Sequence, residues 1–312
     1  MASQSLTTRR ARVGVADDLV VLKAAARLTD RDRYLVRVVA EHRVMTTDQF
    51  AALAFDNIIT ARHRLDALAR LGALNRFRPH RPTGSAPWHY LLGPLGAALL
   101  GAEDRDDKRW LPQVRAGRQV ALQRSQRLAH MIGTNWFFVA LAAHGRQGAG
   151  ELRTWLTESH TAELFYQYPI SLSALASLPQ PDGAGVWADG GREIAFMLEY
   201  DTGSEHLAQL AGKLDSYARL ADVLLRYHQQ VPLLLFCFLT PRREQTARHA
   251  LAASADSLGL RIATAAIDPH VTCPAGHVWM PLHSSGRQVR LIDLDGIPFE
   301  AAQSAYTADP YR

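Results

Sequence analysis

The sequence predicts an α/β protein with a small helical domain that ends in a β-hairpin, followed by a larger mixed α/β sandwich. Two observations predict this fold class. Three short amphipathic segments and two extended ones follow one another between Leu28 and Gly101, and apolar strand-like runs alternate with helical stripes after residue 118. A chain of 312 residues has room for two domains. The expected domains are a basic arm at 1–27, the small domain at 28–101, a polar linker at 102–117 and the large domain at 118–312.

Capping patterns justify the three short helices. Thr29 with Asp32, and Thr46 with Gln49, have the spacing of capping boxes, in which a hydroxyl and an acid or amide satisfy the first free amides of a helix. The third helix follows the turn at Asn57, and Gly72 provides its C-terminal stop. The sequence therefore predicts three consecutive helices before residue 73.

Two extended segments, 74–78 and 88–92, flank a tip rich in proline and glycine and predict a β-hairpin. Three helices followed by a hairpin is the order of a winged helix-turn-helix, whose third helix enters the major groove of DNA. A winged helix that docks a protein instead is the alternative interpretation. Cations on the third helix and hairpin favour DNA, because they can displace the counterions of a duplex. The candidate DNA-binding residues are Thr60, Arg62, His63, Arg64, Arg76, Arg78 and Arg81.

The composition agrees with a polyanionic partner. The chain has 35 Lys and Arg against 30 Asp and Glu, a formal net charge of +5. No apolar run reaches the roughly 18 residues needed to span a bilayer, and the first residues lack the apolar core of a signal peptide, so we expect a cytoplasmic protein with no membrane partner. The two cysteines, Cys237 and Cys273, exclude a disulfide framework.

The large domain begins with a long helical pattern over 118–145, followed by strands expected at 152–156 and 165–168. Asp189-Gly190-Gly191 is a sequence typical of a β-hairpin turn. We expect it to connect two paired strands at 185–188 and 193–199. Thr202 and Glu205 have capping-box spacing before another helix. A strand at 231–239, a helix at 243–257 and a strand at 260–266 complete a mixed α/β sandwich.

Three acids are expected at one edge of this sheet. Asp182 lies in a loop, while Glu199 and Asp201 share a face at the end of a buried strand because alternate strand residues point the same way. Such a cluster suits Mg²⁺ or Mn²⁺, which binds a few carboxylate oxygens and keeps water for substrate phosphates. The alternative is a loop acid near two solvated acids.

Several short motifs resemble two related groups of proteins. Pro181-Asp182 followed by Glu199-Tyr200-Asp201 is similar to the PD-(D/E)XK nuclease superfamily. A longer set resembles the replication-relaxation family of actinobacterial mobile elements over roughly residues 28–295. This set comprises Arg127-Leu128-Ala129-His130 with Asn135, Trp155 to Glu158, Pro181 to Gly183, Leu198 to Gly203, and Lys213-Leu214 with Tyr217. The resemblance implies a DNA-binding protein of plasmid or integrative-element replication or DNA relaxation, with a PD-(D/E)XK-like domain.

One position departs from the superfamily pattern. The superfamily has a lysine two residues after the second acid, where this chain has Asp201. Lys213 is the candidate replacement, because it lies at the edge of the sheet-facing stripe of the next helix; a solvated lysine is the alternative. Tyr217 and His130 are interpreted first as core residues.

The resemblance leaves two functions open. Asp182, Glu199 and Asp201 with Lys213 would form a metal-dependent DNA endonuclease or nickase. Alternatively, the chain is a non-catalytic DNA-binding initiator, accessory factor or transcriptional regulator with a degenerate nuclease-like domain, because fold does not decide function. Double-stranded DNA is the expected partner, other replication or mobilisation proteins are further candidates, and homodimerisation is left open.

Overall fold

The computed structural model describes residues 26–80, 83–104, 110–203, 205–255, 258–284 and 286–296. The chain divides into two compact units, 1–123 and 124–312. The expected basic arm falls almost wholly outside the described residues, as do Arg81 and residues 105–109 of the expected linker. Among the described residues, no helix is both long and apolar enough to cross a membrane.

The first unit contains the three predicted helices in the predicted order. Both capping boxes are present: Thr29 with Asp32 opens the first helix, and Thr46 with Gln49 opens the second. Asn57 caps the third helix, which ends at Gly72 in the left-handed conformation. These helices are α1 (Asp30–His42), α2 (Thr47–Ala54) and α3 (Ile58–Leu71).

The predicted hairpin is also present, as part of a three-stranded antiparallel sheet. Strands β2 (Leu74–Phe77) and β3 (His89–Leu92) pair with each other, and the short strand β1 (Met45–Thr46) pairs with β3 on its other side. Helices α4 (Pro94–Glu103) and α5 (Ala116–Gln123), with a 3₁₀ turn at Leu111–Val114 between them, follow the hairpin. The expected linker thus includes helical residues at both of its ends.

The second unit is the predicted mixed α/β structure, built on a six-stranded sheet of order β4-β5-β6-β7-β8-β9. The sheet is antiparallel from β4 to β6, parallel from β6 to β8 and antiparallel at β9. Apolar residues are buried in two clusters, one of which includes Phe137 and Phe138 and the other Leu214 and Phe236. The strands are β4 (Glu151–Thr157), β5 (Gly183–Asp189), β6 (Arg192–Asp201), β7 (Leu233–Phe238), β8 (Ile262–Ala266) and β9 (Met280–Pro281).

The helices of this unit position the candidate site. The predicted helix at 118–145 is interrupted at 124–127, so that α6 begins only at Leu128. The described helices of the second unit are α6 (Leu128–Arg146), α7 (Glu158–Phe165), α8 (Leu172–Ala176), α9 (Leu207–Arg226) and α10 (Pro241–Ala255).

Two expectations for this unit are wrong. No strand forms at 165–168, because the hydroxyl of Thr157 caps a helix that continues to Phe165. The helix expected to open at Thr202 begins instead at Leu207, with His206 at its N-cap. The Glu205 side chain therefore does not complete a capping box and is available to a different partner.

Candidate functional site

The hairpin of β5 and β6 brings the first two acids together. The backbone amide of Asp182 donates to the carbonyl of Leu198 at 2.9 Å, which places Asp182 beside the end of β6. Its carboxylate accepts a hydrogen bond from the backbone amide of Tyr200 at 2.8 Å and lies 2.8 Å from His130 Nε2. The loop acid is therefore fixed by β6 and by α6.

Glu199 is the buried centre of the site, with only 4% of its side chain exposed. Lys213 Nζ donates to its Oε2 at 2.8 Å, and the Tyr217 hydroxyl donates to its Oε1 at 2.5 Å. Both donors project from α9, one helical turn apart, so a single helix face satisfies the carboxylate. The predicted approach of Lys213 to the acids is observed, and Tyr217, interpreted first as a core residue, is a partner of Glu199 as well as buried.

The electrostatics of this pair follow from burial. Burial raises the pKa of Glu199 to about 7, the nearby charge of Asp182 adds to the effect, and Lys213 and Tyr217 oppose it. Burial lowers the pKa of Lys213, but the charges and hydrogen bonds of Glu199 and Glu205 outweigh it and raise that pKa overall. Lys213 is therefore a cation at neutral pH, beside a carboxyl group that burial makes easier to protonate than an exposed glutamate.

Asp201 does not join this pair of acids. Its Oδ2 accepts from Arg243 Nε at 2.7 Å, and its Oδ1 accepts from the backbone amide of Gly203 at 2.5 Å. Within the described residues, no three His, Cys, Asp or Glu side chains are grouped so as to hold a metal ion. The expected three-acid cluster is thus reduced to Asp182 and Glu199, because the guanidinium of Arg243 engages the third acid.

The sequence indicated no site role for Arg243; for His130 it favoured a hydrogen-bonded core histidine over an approach to the acids from the preceding helix. His130 is about one quarter exposed and contacts Asp182, which raises the histidine pKa through its hydrogen bond and charge although burial opposes the shift. The spacing of Lys213 and Tyr217 on one helix face was the available signal for Tyr217. Nothing in the sequence connects Arg243 to Asp201, because 42 residues separate them.

The candidate DNA-binding residues of the first unit fall into two groups. Thr60, Arg62 and His63 are exposed on α3, and their side chains make no hydrogen bond or ion pair with any described residue. Arg78 is exposed beside the hairpin and donates to the hydroxyl of Ser85 at 3.2 Å. The guanidinium groups of Arg78 and Arg76 lie 4.3 Å and 4.5 Å from the ring centroid of Trp88. Among the candidate DNA-binding residues that the structure describes, Arg62 and Arg78 are therefore the arginines classed as exposed.

Arg64 and Arg76 are committed to partners within the first unit. Arg64 Nε donates to Asp32 Oδ1 at 2.6 Å, and a second Arg64 nitrogen contacts the other oxygen of this fully buried carboxylate. Arg76 pairs with Asp66 at 2.9 Å. The expectation that Arg64 points freely outward is thus wrong, because it links α3 to the capping box of α1.

We expect Arg64→Ala to lower the free energy of unfolding of the first unit by about 1–2 kcal/mol, because Asp32 loses its charged partner. Despite burial, hydrogen bonds from Arg64 and Thr29 lower the pKa of Asp32. A lowered pKa stabilises the fold above the usual aspartate pKa of about 4, and this contribution is lost as the pH falls. Urea titrations at pH 7 and pH 3 measure both effects. Arg62→Ala is the matched control, and an equal loss in the two variants would contradict the structural role of Arg64.

Residues 36–234 match the model of the replication-relaxation family. The match spans more than half of the chain. The chain belongs to the replication-relaxation family. Comparisons with curated proteins and with solved structures gave no match. For this member of the family, the matched segment contains α3, the hairpin, Asp182, Glu199, Lys213 and Tyr217.

Proposed function

We propose that this chain binds double-stranded DNA through its first unit and cleaves a phosphodiester at Asp182 and Glu199. The name of the family points to a role in the replication or relaxation of plasmid or other mobile DNA. The observation that carries the proposal is the hydrogen bond of Lys213 to buried Glu199 beside Asp182. Two carboxylates that can hold a divalent cation, with an ammonium beside them, suit the activation of water and the stabilisation of charge in phosphodiester hydrolysis.

The two carboxylates fit a divalent cation. Mg²⁺ is held in proteins by one or two carboxylates and completes its shell with water and substrate phosphates, so a third acid is not needed. The charge of Asp182 raises the pKa of Glu199, and a cation between the two would relieve this repulsion. Mg²⁺ or Mn²⁺ would be held by Asp182 and Glu199, where it would polarise the phosphate and acidify a water molecule.

The chain's own residues orient this chemistry. His130 and the amide of Tyr200 fix the Asp182 carboxylate, while Tyr217 fixes the inner oxygen of Glu199. Lys213 is half-buried, so its ammonium can reach a phosphate oxygen and stabilise the negative charge that develops as the phosphodiester is attacked. Rigid donors of this kind stabilise charge without reorganising during the reaction.

A second candidate function is non-catalytic, and one observation favours it. Each of the six carboxylate oxygens of Asp182, Glu199 and Asp201 already has a hydrogen-bond partner in the protein. A self-satisfied cluster of this kind can serve as a purely structural element. The chain would then act as a DNA-binding initiator, accessory factor or regulator, with the second unit as a scaffold.

The DNA-binding part is tested by the salt dependence of duplex binding. We read the three helices and the hairpin as a winged helix-turn-helix, so Arg62→Ala and Arg78→Ala should each weaken binding and lower the log–log salt slope by about one. Arg64→Ala is the control, because its guanidinium is held by Asp32 and its loss should leave the slope unchanged. Gel-shift titrations from low to physiological salt measure the slopes. Unchanged slopes in Arg62→Ala and Arg78→Ala would contradict this surface.

A further inference from the structure

Glu205 lies between two cations beside the pair of acids. Its carboxylate accepts a hydrogen bond from Lys213 Nζ at 3.0 Å, and its backbone carbonyl accepts one from the guanidinium of Arg243. Lys213 belongs to α9 and Arg243 to α10, so two helices hold the same loop residue. The side chain of Glu205 is 29% exposed, whereas that of Glu199 is 4% exposed.

Both cations keep hydrogen-bond donors that the described part of the protein does not use. Lys213 Nζ has three N–H groups and donates to Glu199 and Glu205 only. Arg243 donates through Nε and Nη2, and its Nη1 has no acceptor among the described residues. The two side chains are 35% and 20% exposed, so an anion can approach them from solvent.

The charges of this cluster make Glu205 the carboxylate that another anion can replace. Glu199 is paired with Lys213 and Asp201 with Arg243, whereas Glu205 adds a third carboxylate that contacts Lys213 and reaches Arg243 only through its backbone carbonyl. A phosphodiester carries one negative charge, as a carboxylate does, so replacing one by the other leaves the charge of the cluster unchanged. Helix α9 begins at Leu207, and the positive end of its dipole favours an anion at this place.

The position of Glu205 in the chain allows this exchange. It lies in the connection from β6 to α9, after Gly203, whose φ of +89° is in the left-handed region. Lys213 lies on α9 between the buried residues Leu210 and Leu214, so the helix holds its backbone independently of the Glu205 side chain.

We propose that Glu205 occupies a phosphate-binding position formed by Lys213 and Arg243, from which a phosphodiester displaces it. The identity of the ligand rests on the proposed function, whereas the binding position requires no cleavage. When DNA is absent, the Glu205 carboxylate accepts from Lys213; when DNA is present, it leaves Lys213 and the unused donor of Arg243 to a backbone phosphate. The bound phosphate then lies beside Glu199 and Asp182.

The test uses the full-length chain and the dinucleoside monophosphate d(TpT), which carries a single phosphodiester. Glu205→Gln removes the competing charge, so we expect d(TpT) to bind about threefold to tenfold more tightly than to wild type. Titrations followed by NMR or calorimetry measure the two dissociation constants. Asp215→Asn, an exposed acid on α9 without a described partner, is the matched control and should bind d(TpT) as wild type does.

The double variant Glu205→Gln/Lys213→Gln locates the site. We expect it to lose the gain in affinity, because Lys213 supplies one of the two cations. Equal dissociation constants for wild type and Glu205→Gln, or a gain that persists without Lys213, would overturn the proposal. Plasmid nicking is a separate measurement, so a site that binds d(TpT) in a chain that does not cleave DNA would refute only the proposed cleavage.

Discussion

Replacing Lys213 with alanine is expected to lower the rate of metal-dependent DNA nicking by about 10²–10³-fold, because one preorganised donor in a water-poor site contributes that much to transition-state stabilisation. The ammonium lies 2.8 Å from Glu199 Oε2 and is half-buried. Duplex affinity should fall by no more than the loss of one phosphate contact, since Lys213 would make a single such contact and the other proposed duplex contacts lie in the first unit. Single-turnover nicking at saturating protein measures the chemical step apart from binding.

A second variant shows whether the charge or the shape of Lys213 matters, and a third is its control. Lys213→Arg should recover little activity, because a planar guanidinium does not fit where a compact ammonium contacts both Glu199 and Glu205. Asp215→Asn on the same helix should nick at the wild-type rate. Near-normal nicking by Lys213→Ala, with an unchanged circular dichroism melt, would contradict a catalytic role for this lysine.

Replacing Gly133 with alanine is expected to lower the free energy of unfolding of the second unit by about 3 kcal/mol. A Cβ at this position of α6 would overlap the ring of Tyr200 and lie 2.7 Å from its hydroxyl oxygen. Tyr200 is itself buried on β6, so the ring has no room to move aside. The helix would have to shift, which would also move His130 away from Asp182.

Gly212→Ala is the matched control for this prediction. Gly212 lies on α9, where an added Cβ meets no atom within 4 Å. Because alanine has the higher helix propensity, we expect this variant to gain about 0.5–1 kcal/mol. Urea titrations of both variants measure the two changes, and a small loss in Gly133→Ala would mean that α6 is not packed closely on Tyr200.

Local chemistry explains which parts of the fold could be predicted from the sequence. The caps at Thr29, Thr46 and Asn57 and the turn at Asp189-Gly190-Gly191 each act within a few residues, and the structure contains all of them. The apolar run at 231–239 likewise predicted the buried strand β7. Each of these elements is specified by residues that are close together in the sequence, so a local sequence pattern can predict it.

Tertiary contacts explain the wrong predictions. Thr202 and Glu205 have capping-box spacing, yet Lys213 and Arg243 engage Glu205 and α9 begins two residues later. Arg64 faces away from the apolar stripe of α3, but Asp32, 32 residues earlier, binds it. The sequence spacing of an acid and a cation does not reveal such a pair, because folding brings them together from different elements.

The same reasoning applies to the candidate site. The pairing of Asp182 with Glu199 followed from a loop acid and a strand end, and Lys213 followed from the helical stripe around Leu210 and Tyr217. The sequence did not indicate that Asp201 lies apart from these two acids. Its partner Arg243 belongs to α10, which follows β7 in the chain. Strand periodicity alone puts Glu199 and Asp201 on one face of the sheet. It cannot show which of the two forms an ion pair with an arginine.

The most direct test is the conversion of supercoiled plasmid to nicked or linear form by the full-length chain in Mg²⁺ or Mn²⁺. Wild type should convert the plasmid and Glu199→Gln should not, because the amide keeps the shape of the side chain but loses the carboxylate beside Asp182. Asp215→Asn should match wild type, and a chelator should stop the conversion. Equal conversion by wild type and Glu199→Gln, or no conversion by wild type with either metal, would contradict phosphodiester cleavage at this site.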